Sequence, residues 1–572
     1  MTTVESTGFF QDAPRLRDEW EDDLAFQRCL ERVLPGDVRA DITPSLAEMG
    51  LLAATELKDL ADAIDTPEGQ PRHVPFDAWG NRIDVVEPHP GWQRMAQVAA
   101  EHGVVATGYE RAHGGYSRVH QFALAYLYGP SSALFSCPLA MTDGAAKTLL
   151  GAGDRELIDR AVPHLTSRDP STFWTSGQWM TERAGGSDVG RSQTVAVQDG
   201  GVWRLTGTKW FTSAITSEMA LTLARPDGNG SGGEGLAMFY VEVRDEEQRL
   251  NNIRVLRLKD KLGTKQLPTA ELALDGTVAH LVGPPSSGTR NIAPMLTITR
   301  LWNSVIAASG TRRGLALARD YSRRRAAFGS HLIDNPLHQT TLAWLRVQHE
   351  ASLQLAFHAA LLLGREEAGE ASEQEQLALR LLLPITKLLT AKQAVAAASE
   401  AIESFGGAGY VEDTHLPVLL RDAQVLPIWE GTTNVLSMDA LRAIRSEETL
   451  AAYAAEVRRA AEAASDDALV GIGKLAVDAI DHAGAWLTRA LEGGPDTVAH
   501  GARRFALTLG RALQAALLVA QAQHDLDTHG DGRGAAVARR FADEGIDLLD
   551  DPGRTLASDA ALARDEPIRP AP

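Results

Sequence analysis

The strongest constraint on this chain is a change of texture near residue 170. From about 170 to 285, short β-rich runs appear at 193–198, 202–205, 219–224, 236–242, 253–258 and 269–274. Turn signals such as Asp199-Gly200-Gly201 separate them. On both sides the spacing is helical. Residues 92–100 and 121–127 carry apolar positions at helical intervals, with Pro75, Pro88 and Pro90 in the loops between. Residues 315–324 and 342–363 are long amphipathic stretches, and an Ala-rich helical block follows to the C-terminus. This order predicts an α+β, mainly α chain in four parts: helices over 1–168, a β domain over 169–286, a helical bundle over 287–445 and a helical extension over 446–572. The Gly-rich segment 226–235 reads as a flexible surface connection.

A chain of 572 residues can bury large cores without disulfides or metals. Its two cysteines, Cys29 and Cys137, are far apart and form no metal-ligand or disulfide pattern. With an acidic, mixed N-terminus that lacks a signal pattern, this predicts a cytoplasmic setting. No run approaches the ~18 apolar residues of a membrane span, and the longest, near 512–522, reads as a core helix. A net charge of −19 opposes non-specific binding to nucleic acid or anionic membrane. No P-loop, HExxH, GxSxG or Rossmann fingerprint occurs, and the 16 histidines form no spaced cluster. No metal is expected. Acid–base or cofactor chemistry remains.

Four segments carry chemical promise. In Met180-Thr181-Glu182-Arg183-Ala184-Gly185-Gly186-Ser187-Asp188-Val189, two glycines allow backbone and hydroxyl groups to approach a ligand closely. An ordinary Asx or Ser turn reads the same way. In Lys209-Trp210-Phe211-Thr212-Ser213, an aromatic pair beside a hydroxyl suits a planar heterocycle; a strand with a buried tryptophan is the alternative. Arg323 to Gly329, with Arg325, Phe328 and the following Gln339, offers guanidinium forks and a stacking ring, or simply a basic helix end. Finally, Trp429, Glu430 and Gly431 precede Thr432, Thr433 and Asn434, which are helix N-cap types ahead of an apolar-periodic run. A helix start there offers N–H groups to an anion. A glutamate buried beside those apolar residues would lose hydration and suit a general base; a solvated glutamate is the plain alternative.

Taken in order, these segments resemble the acyl-CoA dehydrogenase flavoprotein family over roughly residues 90–445. MTERAGGSDV looks like its flavin-contacting loop, and WFT (210–212) like its strand beside the isoalloxazine. LKDKLGTKQLPTAEL (258–272) resembles a β-domain segment. RAAFG (325–329) with Gln339 resembles the part that reaches a neighbouring subunit's FAD. ESFGGAGYVED (403–413), with Gly406 and Gly407, resembles a family signature, and IWEGTTN (428–434) the base and flavin loop. DAWGNRIDVVEPHPGW (77–92), CPLAMT (137–142) and the C-terminal helical block resemble AidB-type members. Trp179, Arg191 and Val418 depart from the family signatures.

The resemblance implies the acyl-CoA dehydrogenase fold plus an extra C-terminal helical domain, with FAD as cofactor. It implies α,β-dehydrogenation of an acyl thioester. Glu430 would be the base, and its N–H, with an FAD ribityl hydroxyl, would stabilise the thioester oxygen. Thr299-Arg300 carries no carboxylate, so Glu430 is the only base the motifs support. Arg300 resembles an arginine near the acyl-CoA, with a structural ion pair as the alternative, and Ser187 lies on the substrate side. Trp174, Trp179, Trp302 and Trp429 narrow a substrate site or fill core. Implied partners are an acyl-CoA or related small molecule, an electron-transfer flavoprotein, and further copies of the chain as a tetramer or dimer. Two other functions compete: an AidB-like stress protein that binds DNA with little turnover, and a silent scaffold. The C-terminal block holds 13 Lys and Arg against 21 Asp and Glu, which disfavours DNA.

Overall fold

The structure, a computed structural model, describes residues 12–245, 247–549 and 555–568. The first part holds the helices Leu24–Val33, Gly36–Ala54, Glu56–Ile64, Pro90–Glu101, Ser117–Tyr128, Ser136–Ala152 and Arg155–Leu165. Side chains cap several: Asp23 accepts from the Phe26 N–H, and Asp154 from the Glu156 and Leu157 N–H groups. Strands β1 (Arg72–Phe76) and β2 (Arg82–Glu87) pair as a hairpin that the helical spacing of this region does not predict.

The β domain contains β3 (Ser176–Trp179), β4 (Val195–Asp199), β5 (Val202–Ser213), β6 (Met219–Pro226), β7 (Ala237–Glu242), β8 (Ile253–Leu258) and β9 (Thr269–Val282). Pairings β6–β4, β4–β5, β5–β9, β9–β7 and β7–β6 close a ring, so the sheet is barrel-like and protects most of its edges. Strands β5 and β9 run well past the predicted 202–205 and 269–274, because each pairs with more than one neighbour. One irregularity matters for the site. Lys209 opposes Leu272 and Thr212 opposes Ala270, so β5 carries one extra residue at Trp210-Phe211. Such a bulge changes which side chains point inward.

The bundle is built on the helices Ala293–Arg324, Pro336–Ala368 and Glu373–Glu403, buried over most of their length. The extension adds Glu447–Ala461, Asp467–Glu492, Pro495–His529, Arg533–Asp543 and Leu556–Ala563. Glu373–Glu403 and Pro495–His529 are long and apolar enough to cross a membrane, yet their most apolar windows are 78% and 89% buried. They are core helices, as predicted for 512–522. One hydrophobic core runs through the first part, the bundle and the extension.

Buried amides fix the extension in register. Gln514 Nε2 donates to Gln393 Oε1 (2.9 Å), and Gln393 Nε2 to Gln348 Oε1 (3.2 Å). Gln354 Nε2 donates to Gln521 Oε1 (3.1 Å), which also accepts from Arg32 Nε (2.9 Å). The first helix meets the last long one: Arg28 pairs with Asp531 (2.7 Å) and His529 with Glu31 (2.8 Å). Cys29 and Cys137 are both buried and free. Among the described residues, no group of three His, Cys, Asp or Glu side chains is arranged to hold a metal.

Candidate active site

The turn before helix Thr433–Ala443 carries Glu430 in a left-handed conformation, φ +56°, followed by Gly431 at +105°. The helix starts with Thr432 as N-cap, two residues earlier than the apolar run suggests, and among the described residues no side chain caps it. Glu430 is half-buried. Its Oε2 accepts from the Thr299 hydroxyl at 2.7 Å. The backbone around it is held by cations. Lys387 Nζ donates to the carbonyls of Trp429 and Gly431, both at 2.6 Å, and Arg300 Nε donates to the Glu430 carbonyl at 3.3 Å. Arg300 also pairs with Asp439 at 2.8 Å. The guanidinium expected near a substrate is therefore engaged with protein groups, which is the ion-pair alternative.

Burial pushes the Lys387 ammonium down to about 7. The Glu430 charge opposes this shift and Arg300 adds to it. Burial pushes the nearby Cys137 thiol up to about 12, opposed by Lys261 and reinforced by Glu430. Lys261, itself lowered to about 8 by burial, donates to Leu267 O (2.8 Å) and Thr269 Oγ1 (2.9 Å). Cys137 thus lies within electrostatic reach of both the Glu430 turn and the β-domain wall.

The β-domain segments come together in the structure. The Trp210 N–H donates to Thr181 O at 2.9 Å, which joins the MTERAGGSDV loop to the bulge of β5. Glu182 anchors that loop from below. It is buried, pairs with the fully buried Lys209 (2.7 Å), and accepts from Gln193 N (2.6 Å) and Thr194 Oγ1 (2.6 Å). Met180 packs on the core, and Gly186 and Ser187 are exposed. The bulge leaves Trp210 half-buried and Phe211 half-exposed, with Lys259 Nζ 3.2 Å and 4.6 Å from their ring centroids and Arg183 4.8 Å from the Trp210 centroid. Thr212 turns inward with Lys209, and its hydroxyl donates to Ala270 O at 2.6 Å. The hydroxyl expected beside a planar ring is thus engaged inside the barrel.

The third group forms at another hydrophobic cluster, around Leu317, Tyr321, Leu342 and Phe405. Arg325 leads into a two-residue hairpin, Ala326–Ala327 with Ser330–His331. Its turn is Phe328-Gly329, both at positive φ, as a tight hairpin requires. Phe328 is 96% exposed. Gln339 is exposed and its amide donates to Ile333 O (2.9 Å). Gly406, at φ +59°, and Gly407 border open space, and the neighbouring Tyr410 is also exposed.

Trp429 lines a cavity of about 540 Å³ whose wall includes Leu134, Ile306, Ala307, Leu317 and Leu426; Glu430 does not line it. The indole N–H of Trp429 donates to Asn303 Oδ1, while Asn303 Nδ2 is buried without a partner among the described residues. Asp65, Gln266 and Asp422 form a polar part of the same wall. Trp179 and Trp302 are fully buried and fill core, and Trp174 stacks on His164. Sequence reasoning missed Lys387, Asn303 and the contact of Thr299 with Glu430. The one available signal was a lone lysine inside the apolar run 381–391.

Models of the acyl-CoA dehydrogenase middle and C-terminal domains match residues 177–277 and 286–445. Models of the adaptive response protein AidB N-terminal domain and of the acyl-CoA dehydrogenase 11 C-terminal domain match 12–170 and 448–563. Acyl-CoA dehydrogenase family member 11 of Caenorhabditis elegans is 45% identical over 536 residues, 90% of this chain and 85% of that protein. The chain belongs to the acyl-CoA dehydrogenase family. A second family member, the putative acyl-CoA dehydrogenase AidB of Escherichia coli K12, is 32% identical over 70% of this chain and 73% of its own. The crystal structure of C. elegans ACDH-11 in complex with C11-CoA covers 99% of this chain and 98% of that one, with TM-score 0.94 and 42% identity. The family fold therefore extends through the C-terminal helices.

Proposed function

We propose that this protein is an FAD-dependent dehydrogenase that introduces an α,β double bond into an acyl thioester. The observation that carries this is Glu430: a half-buried carboxylate oriented by Thr299 at 2.7 Å, on a turn pinned by Lys387 and Arg300. Glu430 takes the α-proton, and its backbone N–H faces the negative charge that develops on the thioester oxygen. The apolar cavity beside Trp429 takes the acyl chain. The complex of the similar ACDH-11 with C11-CoA supports an acyl-CoA as the substrate class.

The residues present fit FAD. Phe211 and Trp210 face outward from the bulge beside two cations, and the uncapped start of helix Thr433–Ala443 has N–H groups available to an anion. Met180, Thr181, Gly186, Ser187, Trp210 and Phe211 would hold it from the β domain, with Gly431, Thr432 and Asn434 below. The chemistry such a cofactor would supply is acceptance of the β-hydride. Arg325, Phe328, Gln339, Gly406 and Gly407 complete the site of another copy, in a dimer or tetramer, and an electron-transfer flavoprotein takes the electrons onward. Nucleic acid binding has less support, because the extension is acidic and Arg511, one of its arginines, is engaged with Gly545 O (2.6 Å).

Anaerobic titration of the flavin-loaded protein with acyl-CoAs of graded length tests the reading. Bleaching of the flavin band by one of them, abolished in Glu430→Gln, is expected. A flavin that dithionite reduces but no thioester does would reject it.

A further inference from the structure

Lys387 is fully buried in the middle of helix Glu373–Glu403, and its hydrogen-bond partners are carbonyls, with Glu430 acting on it only through its charge. Burying an ammonium in this way is costly, and an apolar side chain would suit the core better. What the lysine binds instead is specific: the carbonyl oxygens of the residues on either side of Glu430, each at 2.6 Å. The intervening carbonyl, that of Glu430, is held by Arg300.

The consequence follows from peptide geometry. No peptide bond in the described chain is cis, and in a trans peptide the C=O and the next N–H point to opposite sides. With Trp429 O fixed on the Lys387 ammonium, the Glu430 N–H must point away from it. The same holds for the N–H groups of Gly431 and Thr432, whose preceding carbonyls are held by Arg300 and Lys387. None of these three N–H groups donates to a backbone acceptor among the described residues. Successive free N–H groups form an anion-binding concavity. A cation on the carbonyl also polarises the peptide and strengthens its N–H as a donor. The left-handed Glu430, at φ +56°, would otherwise cost about 1–2 kcal/mol.

We propose that Lys387 is the positioning residue of the oxyanion donor: by gripping both carbonyls that flank Glu430, it aims and polarises the Glu430 N–H toward the thioester oxygen of the substrate. This rests on the dehydrogenase reading above. In the step it assists, the α C–H bond breaks, the proton passes to Glu430, the freed pair forms the C=C bond of the enolate, and the carbonyl π pair moves onto the thioester oxygen, where the N–H meets it. Lys387 touches neither substrate nor cofactor.

The test uses the flavin-loaded, full-length protein with Lys387→Gln and Lys387→Arg. Gln retains hydrogen-bond donors without charge, and Arg retains both. Lys387→Gln is expected to lose roughly 10²–10³-fold in kcat with little change in KM, and Lys387→Arg to recover most of it. A second readout needs no turnover. The infrared carbonyl stretch of bound dodec-2-enoyl-CoA, labelled with carbon-13 at the thioester carbon, should fall on binding to wild type and fall less in Lys387→Gln. Wild-type kcat and carbonyl shift in Lys387→Gln would overturn the proposal. If the wild type reduces flavin with no acyl-CoA, the dehydrogenase reading fails, and the infrared comparison still judges Lys387.

Should the uncharged variant not fold, the wild-type pH profile decides. The charged groups facing Lys387 are Glu430, which favours its protonation, and Arg300, which opposes it. kcat should fall as pH rises through about 7, and a rate that stays level from 6.5 to 9 would overturn the assignment.

Discussion

The Glu430 turn and the Phe328 hairpin are both built on left-handed backbone, yet their surroundings are opposite. At Glu430, three successive carbonyls are held by buried or half-buried cations, and Thr299 fixes the carboxylate. At Phe328-Gly329, the turn closes a two-residue hairpin whose aromatic ring is 96% exposed, with Gly406 and Gly407 facing open space nearby. A large exposed ring at the tip of an ordered hairpin suits contact with another molecule, as interface aromatics do. One region is finished within the single chain; the other leaves a large apolar ring uncovered.

The largest expected effect removes the chemistry while leaving both regions folded. Glu430→Gln should cut kcat by roughly 10²–10⁴-fold with an unchanged melting transition, because an amide keeps the Thr299 contact but cannot take a proton. Retention of turnover would break the comparison at once. Next is the support beneath the loop 180–189. Glu182→Gln leaves Lys209 buried without its counter-charge and should cost about 3–5 kcal/mol in urea denaturation. A cost near zero would show that this loop is as loosely held as the hairpin.

Phe328→Asp sharpens the contrast from the other side. Sedimentation should show a smaller assembly and weaker flavin retention, while the stability of the single chain changes little. An unaltered assembly would mean that the hairpin is not an interface. The smallest effect concerns Asp422, whose carboxyl burial raises to about 6 from the ordinary 3.8, against the Thr264 N–H at 2.6 Å. The folded state then holds a proton that the unfolded state has released, so this residue's contribution makes stability fall as pH rises from about 4 to 6. Lys261 lies near Asp422 and favours the charged form. Asp422→Asn should flatten that part of the stability–pH curve, and an unchanged slope would place the titration elsewhere.

Contiguous features were legible in the sequence and convergent ones were not. The β domain stood out because strands and turns leave a local period. Ile253–Leu258 matches the predicted run to the residue, whereas β5 and β9 run longer because their length depends on partners remote in sequence. Glu430 was identifiable because its turn, the helix start and the flanking Trp429 are adjacent. Its supports were not, since Thr299 and Lys387 reach it from helices 131 and 43 residues away. The inward turn of Thr212 depends on a single-residue bulge, which depends on register against β9, and no local pattern encodes that. Arg300 resembled a substrate group because sequence shows a charge without its partner; Asp439 supplies that partner from a helix 139 residues away.

The meeting of the first helix with the last long one has a consequence for how the protein is made. Arg28 and Glu31 await Asp531 and His529, and Arg32 and Gln354 await Gln521. During synthesis, the N-terminal residues leave the ribosome some 500 residues before their partners. At about 5–20 residues per second, that gap lasts on the order of a minute. Throughout it, Arg28, Glu31 and Arg32 lack these partners. Emergence of the segment 521–531 is therefore the event that lets the first helix meet its partners.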